Sequence, residues 1–221
     1  MIHGINPGVV KTVVFDLGGV FLEGTVESVS SFGLRVGIDE TVWREVAREM
    51  FLGGDEGPWS RLERNEITIE AFGKLLEAKL AGHGVALDLA AVARVVGSGN
   101  FGGRVRPEIV TACQSLKSVM QTALLTNNIV AWRETWRSKI DVDALFHDVV
   151  DSCEVGMRKP EERIYALVEQ RLGRQGEALL FIDDLGMNLK GARARGWQTL
   201  KYENTVDVLQ VLEAVRISAG G

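Results

Sequence analysis

The sequence predicts an α/β fold: a Rossmann-like parallel sheet core with a helical cap inserted after the first strand. Three observations point there. Beyond Gly103, short β-branched and apolar runs alternate with segments of helical period, which implies a parallel sheet covered on both faces. Near the N-terminus, Lys11-Thr-Val-Val-Phe-Asp16 has the same strand character, yet a mostly helical stretch from Glu23 to about Gly103 separates it from the rest. Glycine follows that division: 15 of the 25 lie between Gly18 and Gly103, and none falls from Arg104 to Val155. The expected organisation is a core of residues 1–21 and 105–221, with a cap of residues 22–104.

The elements follow in order. The β-branched and aromatic run 11–16, closed by Gly18-Gly19, reads as a buried strand ending in a turn. Asp39 or Glu40 opens a helix running to Met50, and Thr68 opens another with Ile69, Phe72, Leu75, Leu76 and Leu80 at helical spacing. A third helix is expected over Leu87–Val96. The stretches Gly53–Pro58 and Ala81–Gly84 read as loops. Pro107 sits at the first position of a helix whose Ile109, Cys113 and Leu116 share a face. Strands are expected at Met120–Thr126, around Val149-Val150, at Ala178–Asp183 and at Thr199–Tyr202. The helices between and after them are Ile129–Ile140, Glu161–Leu172 (closed by Gly173), Met187–Arg195 and Val206–Ile217.

Composition narrows the function. At roughly 150 residues per domain, 221 residues make about one and a half domains. The net charge is −5, from 25 basic and 30 acidic residues. The basic footprint of a nucleic-acid binder is therefore missing. No apolar run approaches the ~20 residues that span a bilayer, so no membrane association is expected. Met1–Val10 does not read as a secretory signal. The two cysteines, Cys113 and Cys153, read as reduced and buried, and the three histidines are too scattered for a zinc site. The cytoplasm is the expected compartment. Oligomeric state is left open.

In a parallel α/β sheet, ligands bind at the carboxyl ends of the strands. The residues that fall there are Asp16 and Gly18, Thr126-Asn127, Lys159 in Gly156-Met-Arg-Lys-Pro160, and Asp183-Asp184. Carboxylates suit a hard cation such as Mg2+. Lysine and cation together neutralise a phosphoryl group, threonine and asparagine donate to its oxygens, and Asp16 is left to attack phosphorus. Taken singly, each residue has a plainer reading as a strand-end cap or a solvated loop residue. It is their convergence that argues for chemistry.

Asp16-Leu-Gly-Gly-Val20, Leu124-Leu-Thr-Asn-Asn128, Val155–Tyr165 and Phe181-Ile-Asp-Asp-Leu-Gly-Met-Asn188 resemble the four ordered motifs of the haloacid dehalogenase (HAD) superfamily, subfamily IA. The chain is similar to the N-terminal phosphatase domain of bifunctional soluble epoxide hydrolases and to related bacterial sugar phosphatases. The resemblance implies a HAD-like core and a Mg2+-dependent phosphatase acting on a small phosphorylated metabolite. It implies Asp16 as nucleophile and metal ligand, with the Gly18 carbonyl, Asp184 and Asp183 completing the metal site. Thr126, Asn127, Lys159, Gly18 and Gly19 would hold the phosphoryl group, and Asn188 would support the metal. Gly18 departs from the pattern: the family's phosphatases usually carry an aspartate there, which protonates the leaving oxygen. Its absence leaves open a slow phosphatase, an acid supplied from the cap or substrate, or a weakly catalytic phosphate-binding protein.

Other segments have plainer expected roles. Gly97–Gly102 matches a dinucleotide-binding glycine pattern but follows no strand, and reads as a hinge. Asn128 reads as the start of the next helix. Trp43 reads as core, Arg44 and Arg64 as solvated, and Trp59 with Arg61 as the cap pair to test for specificity.

Overall fold

All four residues of β1 (Thr12–Phe15) are buried, which only a strand at the middle of a doubly covered sheet allows. The computed structural model describes residues 2–23, 31–88, 90–92 and 103–220. In it β1 is the centre of a five-stranded sheet ordered β3-β2-β1-β4-β5. The other strands are β2 (Gln121–Thr126), β3 (Asp148–Asp151), β4 (Leu179–Asp183) and β5 (Gln198–Lys201), and every pairing is parallel. Phe15 lies beside Leu124 on one side and Ile182 on the other. Asp16, one residue on, therefore emerges level with Asp183.

The helices sort by the cluster they bury. α1 (Glu40–Phe51), α2 (Pro58–Glu63) and α3 (Ile69–Gly82) surround an apolar cluster of their own that includes Trp43, Met50, Leu62, Phe72 and Leu80. The Asp39 carboxylate accepts from the Thr41 and Val42 amides, and the Thr68 hydroxyl from Ala71, so both predicted helix starts are capped. α4 (Pro107–Lys117) begins the return to the sheet. After β2 come the short helices α5 (Arg133–Arg137) and α6 (Val142–Leu145), and after β3 comes α7 (Ser152–Val155). α8 (Glu162–Leu172), α9 (Gly186–Ala194) and α10 (Thr205–Gly220) complete the chain. The strand period of two divides the core. Val13 and Phe15 pack toward residues of α4 and α10, whereas Val14 packs on the other face toward α8 and α9. Cys113 and Cys153 are buried, and burial pushes both thiols up to about 12.

Three expectations change. The helix expected over Ile129–Ile140 is only a 3-10 turn, Val130–Trp132, followed by α5. Ile129 is extended and buried in the α1–α3 cluster, and Trp132 packs against it, so tertiary packing takes the residues that suggested a helical face. Pro58 opens α2 rather than closing a loop. Asn128 does not cap a helix: its carboxamide oxygen accepts from the adjacent Ile129 amide. Of the expected Leu87–Val96 helix, Leu87 and Asp88 are not helical, Asp88 Oδ1 accepts from the Ala90 and Ala91 amides, and 90–92 are helical; the rest, and the expected hinge at Gly97–Gly102, lie outside the described residues. Among the described residues, no helix is long and apolar enough to cross a membrane.

The chain leaves and re-enters the sheet side by side. The Glu23 amide donates to the Arg104 carbonyl at 2.9 Å, and Leu22 bridges Val105 in antiparallel fashion. Just before this neck, fully buried Phe21 stands edge-on to Phe15 (5.3 Å) and Phe146 (5.4 Å). Phe21→Ala should cost about 3–5 kcal/mol, read as a lowered urea midpoint. A loss under about 1 kcal/mol would mean that the neck does not depend on this packing.

Candidate active site

Asp16 follows β1 directly and is 7% exposed. Its Oδ1 accepts from the Leu17 amide at 2.7 Å and pairs with Lys159 Nζ at 2.9 Å. Lys159 Nζ also donates to Asp183 Oδ2 at 2.8 Å and lies 5.4 Å from the Phe181 ring centre. At 1% exposure the ammonium is out of water. Burial alone would lower its pKa, but the Asp16 and Asp183 carboxylates outweigh that and hold it above the usual lysine range.

Asp183, at the end of β4, is fully buried and fully used. Its Oδ1 accepts from the Leu185 amide, and both oxygens accept from Asn188 Nδ2 at 3.0–3.2 Å. Asn188 on α9 is anchored in turn by Tyr165, whose hydroxyl donates to the Asn188 carbonyl at 2.8 Å. Asp184 comes close to Gly19: a Cβ there would lie 2.3 Å from the Asp184 carboxyl carbon, and Gly19 has φ +75°. Only glycine meets both conditions. Oxygens of Asp16, Asp183 and Asp184 all lie within 4.8 Å of one another. The Asp16 carboxyl is pushed well up by burial and by Asp183 and Asp184, with Lys159 opposing; Asp184 is pushed up by burial and by Asp183. One ammonium thus faces three clustered carboxylates.

On the other flank, Thr126 ends β2 and is 2% exposed. The Asn127 side chain does not point freely into the site: its Nδ2 donates to the Lys159 carbonyl at 2.9 Å, and its Oδ1 accepts from the Lys159 amide at 2.8 Å. One of its amide hydrogens is therefore spent on holding Lys159, and one remains. The Gly19 amide is also used internally, donating to the Leu22 carbonyl at 2.8 Å. The turn that positions Gly18 and Gly19 needs that bond. Gly18 bridges Leu22 within the same turn.

Trp43 is core, as expected, and Arg44 makes an exposed pair with Glu40. Arg64 is a correction: only 6% exposed, it pairs with Glu66 and Glu161 rather than lying in solvent. Trp59 donates to Glu63 and packs against Trp132 at 5.7 Å, while Arg61 reaches Glu66 at 3.8 Å. Sequence reasoning missed Tyr165, whose apolar spacing on α8 signals only core, and Arg106. Arg106 Nη1 donates to the carbonyls of Gly19, Val20 and Leu22, and its guanidinium lies over the Tyr202 ring at 4.6 Å.

The family model of haloacid dehalogenase-like hydrolases matches residues 10–196. Mouse acyl-CoA dehydrogenase family member 10 is 32% identical over 216 residues, 93% of this chain and 19% of that protein. Pig bifunctional epoxide hydrolase 2 is 27% identical over 216 residues, 93% of this chain and 38% of that protein. The chain thus spans well under half the length of these relatives. A HAD-family enzyme from Bacteroides thetaiotaomicron, solved in complex with magnesium and inorganic phosphate, aligns with a TM-score of 0.64 at 20% identity, covering 90% of this chain and 98% of that one. At that identity the likeness is one of fold.

The crowding of carboxylates has a measurable consequence. Asp184 is raised in the folded protein, so its contribution to stability is fully present below the unfolded pKa of about 3.9 and is lost as pH rises through the folded value. With EDTA present, Asp184→Asn should therefore raise the Tm of the chain at pH 7. The gain should shrink toward pH 4. Calorimetry showing a lower Tm at pH 7 for the variant would refute the repulsion.

Proposed function

The chain belongs to the haloacid dehalogenase-like hydrolases, and on that premise we propose that it is a Mg2+-dependent phosphatase of a small phosphorylated metabolite, with residues 22–104 as a cap over the strand ends. The observation that carries this reading is the cluster of Asp16, Asp183 and Asp184 around one lysine. Three carboxylates against one ammonium leave two negative charges uncompensated, and a hard dication with oxygen ligands answers both the charge and the donor type. Asp16, Asp184 and the Gly18 carbonyl would hold it, with Asp183 orienting Lys159 beside it, and it would supply charge neutralisation at the phosphoryl oxygens.

The chain's own residues divide the remaining work. Asp16 Oδ1 is held by the Leu17 amide and Lys159, which leaves Oδ2 to attack phosphorus. The Asp16–phosphorus bond forms, the bond to the leaving oxygen breaks, and that oxygen takes its proton from solvent, because Gly18 has no side chain to give one. Water then attacks the aspartyl phosphate, releasing phosphate and restoring Asp16. Thr126 and the remaining Asn127 N–H face the transferring oxygens, and Lys159 balances their charge. A metal-free dehalogenase reading fits less well, since Asp184 beside Asp16 and Asp183 would then be an uncompensated cost. A second reading, a weakly catalytic phosphate-binding protein, is favoured by one residue, Gly18.

Hydrolysis of p-nitrophenyl phosphate with Mg2+ and with EDTA, for the wild type and Asp16→Asn, tests this. Turnover that needs Mg2+ and disappears in Asp16→Asn is expected. Gly18→Asp should raise turnover by ~10²-fold or more, the usual worth of general acid–base help. Activity that survives EDTA overturns the Mg2+ dependence, and activity that survives Asp16→Asn overturns Asp16 as the nucleophile. No turnover in either the wild type or Gly18→Asp leaves the phosphate-binding reading in its place.

A further inference from the structure

The residues on either side of Lys159-Pro160 are held by the cap rather than by the sheet. Arg158 Nε donates to Glu63 Oε2 at 2.6 Å, and Arg64 Nη1 donates to Glu161 Oε1 at 3.0 Å. Glu63 is the last residue of α2 and Arg64 its C-cap, so one helix end supplies both partners. The side chains are 4–15% exposed: 4% for Arg64, 8% for Glu63, 13% for Glu161 and 15% for Arg158. The cap ends are themselves fixed. Glu63 Oε1 accepts from Trp59 Nε1 at 2.8 Å, and Arg64 Nε donates to Glu66 at 2.7 Å. From the sheet side, Asn127 binds both the N–H and the carbonyl of Lys159. The backbone that carries the active-site lysine is thus gripped from two directions.

Buried ion pairs add little net stability, because desolvation cancels most of the attraction. What they add is register. The charges are crossed, with an acid on α2 meeting a base and the neighbouring base meeting an acid. Sliding the cap to exchange partners would set Glu63 against Glu161 and Arg64 against Arg158, two like-charge contacts. The observed seating pairs all four groups across the joint, while Glu161 also accepts from Arg163 at 2.6 Å and Arg158 lies 3.7 Å from Asp55.

We infer that the bridges Glu63–Arg158 and Arg64–Glu161 form a clamp through which docking of the cap aligns Lys159, making Glu63 and Arg64 positioning residues for the reaction. Neither touches the reacting atoms. They act through the backbone of 158–161, and a displacement of about 1 Å there is enough to weaken the lysine's hold on a transferring phosphoryl group by ~10²-fold. The kinetic consequence rests on the phosphatase reading. The mechanical one does not.

Two measurements on the full chain separate them. The first is kcat and KM for p-nitrophenyl phosphate with Mg2+. The second is hydrogen exchange across 156–161, where the Lys159 amide is the reporter. Glu63→Gln should lower kcat on the order of tenfold, leave KM within about twofold, and speed exchange at 156–161 but not at 121–126. Arg158→Gln, and the double variant Glu63→Gln with Arg158→Gln, should each lose no more than Glu63→Gln alone. Should the double variant fail to fold, Arg64→Gln and Glu161→Gln take its place. Equal losses in either single and in the pair support the clamp, and additive losses overturn it. Arg44→Gln, which breaks the exposed Glu40–Arg44 pair, should change neither readout. Unchanged exchange at 156–161 in Glu63→Gln overturns the clamp, as does exchange that rises equally in β2. If the wild type shows no turnover, the phosphatase reading falls, and the exchange measurement still decides the clamp.

Discussion

The Lys159 ammonium, buried between Asp16 at 2.9 Å and Asp183 at 2.8 Å, is the interaction on which the rest of the site depends. Without it, the two innermost carboxylates would face each other unscreened in a medium where like charges are costly. With it, a positive charge stands between them at the ends of the two central strands. Much of the surrounding structure can be understood as support for that one side chain. Asn127 fixes its backbone, Phe181 lies beneath its charge, and Asn188 orients the Asp183 oxygens it contacts. Tyr165 then anchors Asn188, so the chain of support runs from α8 through α9 to the lysine.

A parallel sheet can build such a centre because its register is common to all strands. Phe15 pairs with both Leu124 and Ile182, so Asp16, Thr126 and Asp183 leave the sheet at nearly the same height. None of these residues needs a specialised loop to reach its neighbour. Lys159 is the exception. It comes from a segment after α7 that belongs to no strand, and its placement has to be supplied by side-chain bonds. That is why the crossed ion pairs from α2 and the Asn127 bonds gather on this segment rather than on Asp16 or Thr126.

The legible parts of the sequence are those whose signal is local. The apolar runs of β1, β2 and β4, the Asp39 and Thr68 caps and Gly173 after α8 each announce themselves within a few residues. The helix expected from Ile129 illustrates the limit, because its apolar residues answer to the α1–α3 cluster and not to a helical face. Helix α2 spans only 6 residues, too short to show a period. Arg64 looked solvated because its partner Glu161 is 97 positions away, beyond any pattern that periodicity can reveal. Asn127 stands at a strand end, where its sequence position suggests a phosphate donor. Its bonds to Lys159 become visible only once strand ends and loops are brought together.

Glycines 18 and 19 show how one short turn can serve two masters. Gly19 is dictated by geometry, since Asp184 occupies the space a side chain would need. The same turn folds back so that the Gly19 amide meets Leu22 and its carbonyl meets Arg106. Arg106 collects the carbonyls of Val20 and Leu22 as well and stacks on Tyr202, whose amide donates to the Asp183 carbonyl. The turn after Asp16, the neck leading to 103–105 and the end of β4 are therefore one bonded unit. A carboxylate at position 18 would add a further negative charge beside the clustered Asp16, Asp183 and Asp184, whose Asp16 and Asp184 are already raised by burial and mutual repulsion. Glycine at position 18 adds no charge to that cluster, so the turn that fixes Gly19 against Asp184 is built without a fourth carboxylate.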